Sequence, residues 1–289
     1  MSYSFEGKVA IVTGAGGGLG RCHALELAKR GAKVVVNDLG GAMDGTGGSS
    51  DAANAVVEEI KSAGGEAIAN GGSVSDRQGA QSMVDDAMNA WGRVDILINN
   101  AGILRDKSFA KMELDDFQVV LDVHLMGSVN VTKAVWPIMR EQNYGRIVMT
   151  TSPSGLYGNF GQTNYGAAKL GLVGFMNTLK IEGAKNNIHT NAIAPVAATR
   201  MTEDLIPEQA QKALGPELVT PAVVYLCTED APNGVVVQAQ GGRFSVACVV
   251  ENQGVDLGAD ATVEDVAEHY AQIADLTGAK PRNMLQLGG

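Results

Sequence analysis

A single α/β domain, with a doubly wound parallel sheet between two layers of helices, is the fold class predicted by three features of the chain. Short apolar runs alternate with helically spaced stretches from residue 8 to residue 193, the pattern of strand-helix-strand units. A glycine-rich turn, Thr13 to Gly20, stands between the first such run and the first helix. No internal repeat and no linker interrupts the 289 residues.

The elements follow in order. Residues 8–13 are a strand ending in glycines, and 21–30 form a helix with Ala24, Leu25, Leu27 and Ala28 at helical spacing before Gly31 stops it. Residues 34–38 are the next strand. The segment 40–50, rich in Gly, Ser and Asp, is longer than most connections and reads as a surface loop. A helix over Asp51–Ser62 is closed by Gly64 and Gly65. A strand near 67–69, a helix over Arg77–Trp91, a strand over 94–99 and one long helix over 114–140 come next. The strand 146–151, the helix 165–186 and the strand 188–193 complete the alternation. From about residue 230 an extension follows, with strands within 234–250 and one helix over 263–276 that should turn Val266, Ile273 and Leu276 inward.

Composition narrows the function classes. Hydrophobic residues make up 45% and charged residues 19%, enough apolar surface to offset the entropy of ordering the chain. The formal net charge of −10, without a run of Lys or Arg, argues against nucleic acid as a partner. Any phosphate-bearing ligand must then be held by backbone donors and a helix terminus rather than by a basic field. Cys22, Cys227 and Cys248 are too few and too scattered for a disulfide framework or a zinc site and suit a reducing compartment. No metal is expected. With no apolar leader, no stretch of membrane-span length and no peroxisomal address in Leu287-Gly288-Gly289, a cytoplasmic protein without a membrane partner is expected.

Three groups of residues carry chemistry. In Thr13-Gly14-Ala15-Gly16-Gly17-Gly18-Leu19-Gly20 the glycines permit a tight turn and a close approach of backbone to a pyrophosphate. Alone, such a turn is a weak signal, and a structural loop is its other reading. Here Asp38 follows at the end of the second strand, where a carboxylate accepts from ribose hydroxyls, so a Rossmann-type dinucleotide site is expected. The charge of Asp38 would repel a 2′-phosphate, and no Arg or Lys stands in 36–43 to neutralise one, which favours NAD over NADP. Tyr165 and Lys169, at i and i+4, share a helix face, where a cation can bring a phenol toward the pH range of acid-base work. Ser152, just past the strand 146–151, lies at the sheet edge that binds ligands and could hold a substrate oxygen; Thr150, Thr151 and Ser154 compete with it on spacing.

Together, Thr13-Gly14-x-x-x-Gly18-x-Gly20, Asn99-Asn100-Ala101-Gly102, Ser152 and Tyr165-x-x-x-Lys169 resemble the short-chain dehydrogenase/reductase family in order and spacing over about residues 5 to 205. Within it, Val36-Asn37-Asp38-Leu39-Gly40-Gly41, Ala101 to Asp106, Val123-His124-Leu125, Tyr157 to Gln162 and Arg200-Met201-Thr202 resemble the (3R)-hydroxyacyl-CoA dehydrogenase units of peroxisomal multifunctional enzymes of type 2 and their bacterial single-domain relatives. The resemblance implies that Gly14, Gly18, Leu19 and Gly20 cradle the cofactor and Asp38 binds its ribose. It implies that Ser73 and Val74 flank adenine, and that Asn100 and Ala101 line the adenosine side. Ala197, Ala198, Thr199 and Arg200 would meet the nicotinamide carboxamide. Ser152 would position the substrate oxygen, Tyr165 would transfer its proton, and Lys169 would bind the nicotinamide ribose and lower the pKa of Tyr165.

Two departures stand out. Many family members carry Asn where this chain has His124, which is either a relay residue or a buried helix histidine bonded to a backbone carbonyl. Where the multifunctional group has Tyr-Asp before Ser73-Val74, this chain has Gly71-Gly72. The expected reaction is NAD-dependent oxidation of a (3R)-hydroxyacyl-CoA, fatty acyl or steroid side-chain, to the 3-ketoacyl-CoA by a homodimer or homotetramer. The alternatives are a hydroxysteroid dehydrogenase acting on a free sterol and a non-catalytic NAD-binding protein.

Overall fold

The structure is a computed structural model describing residues 3–198 and 212–282. The chain divides into two compact units, Met1–Val246 and Ala247–Gly289.

In the first unit an eight-stranded sheet has the order β3-β2-β1-β4-β5-β6-β7-β8. Its strands are β1 (Val9–Thr13), β2 (Lys33–Asn37), β3 (Glu66–Asn70), β4 (Ile96–Asn99), β5 (Gly145–Thr150), β6 (Ile188–Val196), β7 (Val236–Gln240) and β8 (Arg243–Ala247). β3 through β7 pair in parallel, with Ile11 opposite Val35 and Leu97. The two-residue connection Gly241-Gly242 turns β8 back antiparallel along β7. Every residue of β1, β4 and β5 is buried, as strands covered on both faces require.

The helices are α1 (Gly18–Lys29), α2 (Asp51–Ser62), α3 (Arg77–Trp91), α4 (Leu114–Leu121), α5 (Gly127–Gln142), α6 (Pro153–Tyr157), α7 (Thr163–Gly183) and α8 (Thr220–Leu226). Sequence chemistry sets their ends. Asp76 accepts from the Gly79 amide at the start of α3, and Gly92 stops that helix at φ 73°, a left-handed conformation that costs glycine little. α1 turns Ala24, Leu27 and Ala28 toward Val12 and Val36, and full burial of Leu27 alone is worth about 2 kcal/mol.

The long helix expected over 114–140 is two α-helices joined by a π turn, Asp122–Met126. An apolar periodicity that continues across an inserted residue conceals such a break from sequence. α6 was not foreseen; five residues opened by Pro153 carry too little period to be read. The loop 40–50 is exposed and without regular structure, as expected.

The second unit, over its described residues 247–282, pairs β9 (Val250–Glu251) antiparallel with β10 (Lys280–Pro281). A helix, α9 (Val263–Ile273), is opened by a reciprocal cap between Thr262 and Asp265. The expectation of an inward apolar stripe is overturned: Val266 is 44% and Leu276 61% exposed, and Ile273 is half-buried. Among the described residues of this unit no second apolar layer covers the stripe.

Strand order reverses between β1 and β4, which bring the loops 14–20 and 100–107 side by side at the C-terminal edge of the sheet. Open α/β sheets bind ligands at such a crevice.

Candidate functional site

A cavity of about 430 Å³ fills that crevice. Gly14, Gly18, Leu19, Asp38, Ser73, Val74, Asn100 and Ala101 line it, so eight expected cofactor residues converge from four segments. Its narrowness is built from glycine. Gly14 has φ +62°, and a Cβ there would come within 2.8 Å of the Ala101 Cα. At Gly16 a Cβ would stand 2.7 Å from the Ala52 side chain and 2.8 Å from an Asp38 carboxylate oxygen.

Gly20 differs from the expectation. It does not line the cavity, since its Cα packs so close to the Gly14 carbonyl and the Asn100 side chain that any Cβ would collide. It serves the cradle through packing. Ala197 and Ala198 are described but lie off the cavity wall, and Thr199 and Arg200 lie outside the described residues.

Asp38 is fixed in place. One carboxylate oxygen accepts from the Gly16 amide at 2.8 Å and the other from the Gly40 amide at 2.7 Å. Two backbone donors thus hold a negative charge at the end of β2, facing the start of α1. Asn100 clamps the turn from β4, donating to the carbonyls of Thr13 and Gly14 at 3.0 Å each, while the Thr13 hydroxyl accepts from the amides of Asn100 and Ala101. The fit to an adenine dinucleotide is good: a glycine cradle at a helix N-terminus, a fixed carboxylate, and the apolar Val74. Gly72 takes the Asn37 side chain on its carbonyl at 2.8 Å, so the Gly71-Gly72 departure is absorbed into backbone bonding.

Ser152, Tyr165 and Lys169 meet at the same sheet edge. β5 ends at Thr150, and Ser152 caps α6 by accepting from the Ser154 amide at 3.1 Å. α7 lays Tyr165 and Lys169 on one face, with the Lys169 ammonium 5.3 Å from the Tyr165 ring centre. Two of the three rivals of Ser152 recede: the Thr151 hydroxyl donates to the Lys169 carbonyl at 2.6 Å, and the Thr150 hydroxyl is buried without a partner. Burial pushes the Tyr165 phenol up to about 12, against the pull of the Ser152 hydroxyl. Burial draws Lys169 down to about 7, with its Nζ donating to the Thr150 carbonyl at 2.6 Å. Desolvation thus drives both groups toward their neutral forms.

His124 lies in the π turn with its ring edge-on to Tyr165, 5.1 Å between centres. Its Nε2 stands 2.8 Å from the Ile103 carbonyl oxygen and 3.1 Å from the Ile103 amide nitrogen. Of the two readings of this residue, the buried histidine bonded to backbone is the one the contacts describe. Burial, and next the Lys169 charge, hold it well below the usual histidine range. Its Nδ1 has no partner.

Sequence reasoning noted Ala101 to Asp106 only for a resemblance and missed that this segment joins the two halves. Residues 103–107 hold the loop 40–50 through a Leu104 amide bond to the Met43 carbonyl and an Arg105 Nε bond to the Asp44 carbonyl, each 3.0 Å. Arg105 also pairs with Asp116 of α4 at 2.8 Å. The same segment reaches α7 through Asp106, which accepts from Gln162 at 2.6 Å, and the Arg105 carbonyl, which accepts from Asn164 at 3.0 Å. Apart from Arg105 and Asp116, 11 residues apart, these partners lie more than fifty residues from one another and share no local pattern. Among the described residues no cluster could hold a metal ion, and no helix is long and apolar enough to cross a membrane.

Comparison with known proteins agrees with this geometry. The short chain dehydrogenase family model matches residues 8–210. A short-chain type dehydrogenase/reductase of Mycobacterium tuberculosis is 54% identical, over 95% of this chain and 96% of that protein. Peroxisomal multifunctional enzyme type 2 of Drosophila melanogaster is 50% identical, and the chain spans 46% of its length. The full-length structure of that enzyme superposes with a TM-score of 0.81 over 99% of this chain and 48% of the other. The 7α-hydroxysteroid dehydrogenase complexed with NADH and 7-oxo glycochenodeoxycholic acid is 31% identical, with a TM-score of 0.75 over 83% of this chain and 95% of the other.

Proposed function

Because the chain belongs to the short-chain dehydrogenase/reductase family and is an oxidoreductase, we propose that it oxidises a (3R)-hydroxyacyl-CoA to the 3-ketoacyl-CoA with NAD. The observation that carries the reaction type is the grouping of the buried Ser152 and Lys169 with the partly buried Tyr165 at the sheet edge that also bears the Asp38 cavity. Likeness to the multifunctional enzymes, at 47 to 52% identity over nearly the whole chain, supports the thioester.

Bound NAD supplies the hydride acceptor. The residues of the chain do the rest. Ser152 holds the substrate oxygen, and Tyr165 takes the hydroxyl proton as the carbinol hydride departs. A phenol near 12 is a weak participant at neutral pH, so Lys169 has to be charged when Tyr165 ionises; at about 7 it stands where modest stabilisation keeps it so. Asp38, its carboxylate fixed by two amides, binds the adenosine ribose and repels a 2′-phosphate. Ser73, Val74, Asn100 and Ala101 would flank the adenosine, and Ala197 to Arg200, of which Thr199 and Arg200 lie outside the described residues, would meet the carboxamide. The reading is of a cytoplasmic homodimer or homotetramer, supported by the exposed Leu170 and Ile181 on α7.

A second reading, a hydroxysteroid dehydrogenase acting on a free sterol, draws support from the likeness to the 7α-hydroxysteroid enzyme. NAD reduction followed at 340 nm separates the two, using (3R)- and (3S)-hydroxyacyl-CoA of short, long and steroid side-chain type beside free hydroxysteroids. Turnover confined to R thioesters is expected, with NAD preferred over NADP. Turnover of free steroids alone would transfer the substrate to the second reading, and full turnover by Tyr165→Phe would remove the mechanism.

A further inference from the structure

The first turn of α7 has an unusual fastening. The first amides of an α-helix have no intrahelical acceptor and are ordinarily satisfied by the side chain at the N-cap. Gln162 holds that position here and its side chain makes no cap bond, reaching away to Asp106. The task falls to a residue inside the helix. Asn164, fully buried, accepts from the Tyr165 amide on its Oδ1 at 2.7 Å. Its Nδ2 donates to the Arg105 carbonyl at 3.0 Å, 59 residues earlier in the chain, and to the Asp116 carbonyl at 3.4 Å.

Both amide hydrogens and one lone pair of the oxygen are engaged, and one orientation of the amide satisfies them: turned over, the NH2 would face the Tyr165 N–H and the oxygen would face two carbonyls. The anchor is itself held, since Arg105 is tied to Asp116 by its guanidinium and to the loop 40–50 through the Asp44 carbonyl. The bond ends on the backbone of Tyr165 itself.

We propose that Asn164 is a positioning residue for Tyr165, fastening the first turn of α7 to the Arg105 carbonyl and so setting where the phenol stands relative to Ser152 and Lys169. An ordinary N-cap would start the helix equally well without reaching another segment. What the longer connection adds is a fixed start point for the side chain that moves the proton, and a misplacement of about 1 Å there is enough to lower turnover by about 10²-fold. The inference rests on the acid-base role proposed for Tyr165.

Asn164→Ala removes both halves of the fastening, and Asn164→Asp keeps the acceptor for Tyr165 but replaces the donors to Arg105 and Asp116. In both, kcat for oxidation should fall tenfold or more while NADH affinity, read by fluorescence titration, stays within twofold. The limb of the rate against pH should move upward as the phenol leaves the field of Lys169. Amide exchange in the unaltered protein needs no substitution. The Tyr165 amide should be protected as well as that of Gly166, which donates to the Gln162 carbonyl at 2.7 Å. Free exchange at Tyr165, kcat within twofold in both variants, or kcat and NADH affinity falling together would each overturn the proposal. Should the unaltered protein oxidise no thioester, it is the reaction that fails, and the exchange result still decides whether the fastening exists.

Discussion

The turn after β1 and the first turns of α7 stand at one edge of one sheet, yet the first is made of backbone and the second of buried side chains. At the turn, glycines give up their Cβ so that amides and a cavity can take the space, and the one charge, Asp38, is held by main-chain N–H groups. At α7, burial suppresses the charges of Tyr165 and Lys169; Lys169 is held by the Thr150 carbonyl and Tyr165 by Asn164 of the same helix, which is itself tied to the Arg105 carbonyl. A region built of backbone fails when atoms are added; one built of side chains fails when atoms are removed.

The sharpest test of that contrast removes a group. Lys169→Met should lower kcat by about 10² or more, and without the cation the pH limb of oxidation should move upward. A profile of unchanged midpoint would show that Lys169 does not tune Tyr165. The complementary test adds atoms. In Gly16→Val the new side chain meets Ala52 and Asp38, a clash of the size that costs about 1–3 kcal/mol. NAD should bind about tenfold to a hundredfold more weakly, with kcat at saturation preserved; a loss of kcat instead would mean the two ends are not separable.

The smallest effect concerns stability. His23 of α1 is fully buried, with Nδ1 2.9 Å from the Thr220 hydroxyl and Nε2 unpartnered, and burial holds it down at about 3. The unfolded chain binds its proton near 6.5 and the folded one does not, so stability present above 6.5 is lost as pH falls toward 3. Between pH 7 and 5 this amounts to about 2 kcal/mol by linkage. Urea unfolding at the two pH values checks it, and His23→Leu should flatten that part of the slope.

The same contrast explains what could be read in advance. The glycine turn, Asp38 and the Tyr-x-x-x-Lys spacing depend on residue type within one strand-turn-helix or one helix face, so the chain order exposes them. Asn164, Arg105 and the Ile103 contact of His124 are ordinary residues whose meaning comes from carbonyls on distant segments. Gly20 is a mixed case: its type was readable, but only packing against Gly14 and Asn100 shows that it shapes the cradle without facing the cavity. The outer strands and α9 were hardest, because an exposed apolar stripe has the same period as a buried one.

The π turn at Asp122–Met126 also bears on how this gene can vary. Each residue advances an α-helix by about 100°, so a helix with one residue too many re-enters its course turned by nearly a third of a circle. Val131, Val135 and Met139 of α5 are buried with that offset in place. An insertion or deletion of one codon in the loop 40–50 alters the length of a surface excursion; the same event in the π turn would rotate the whole of α5 about its axis and present its polar side to the interior. The two stretches are separated by fewer than a hundred codons, and lineages should show length variation accumulating in the first and absent from the second.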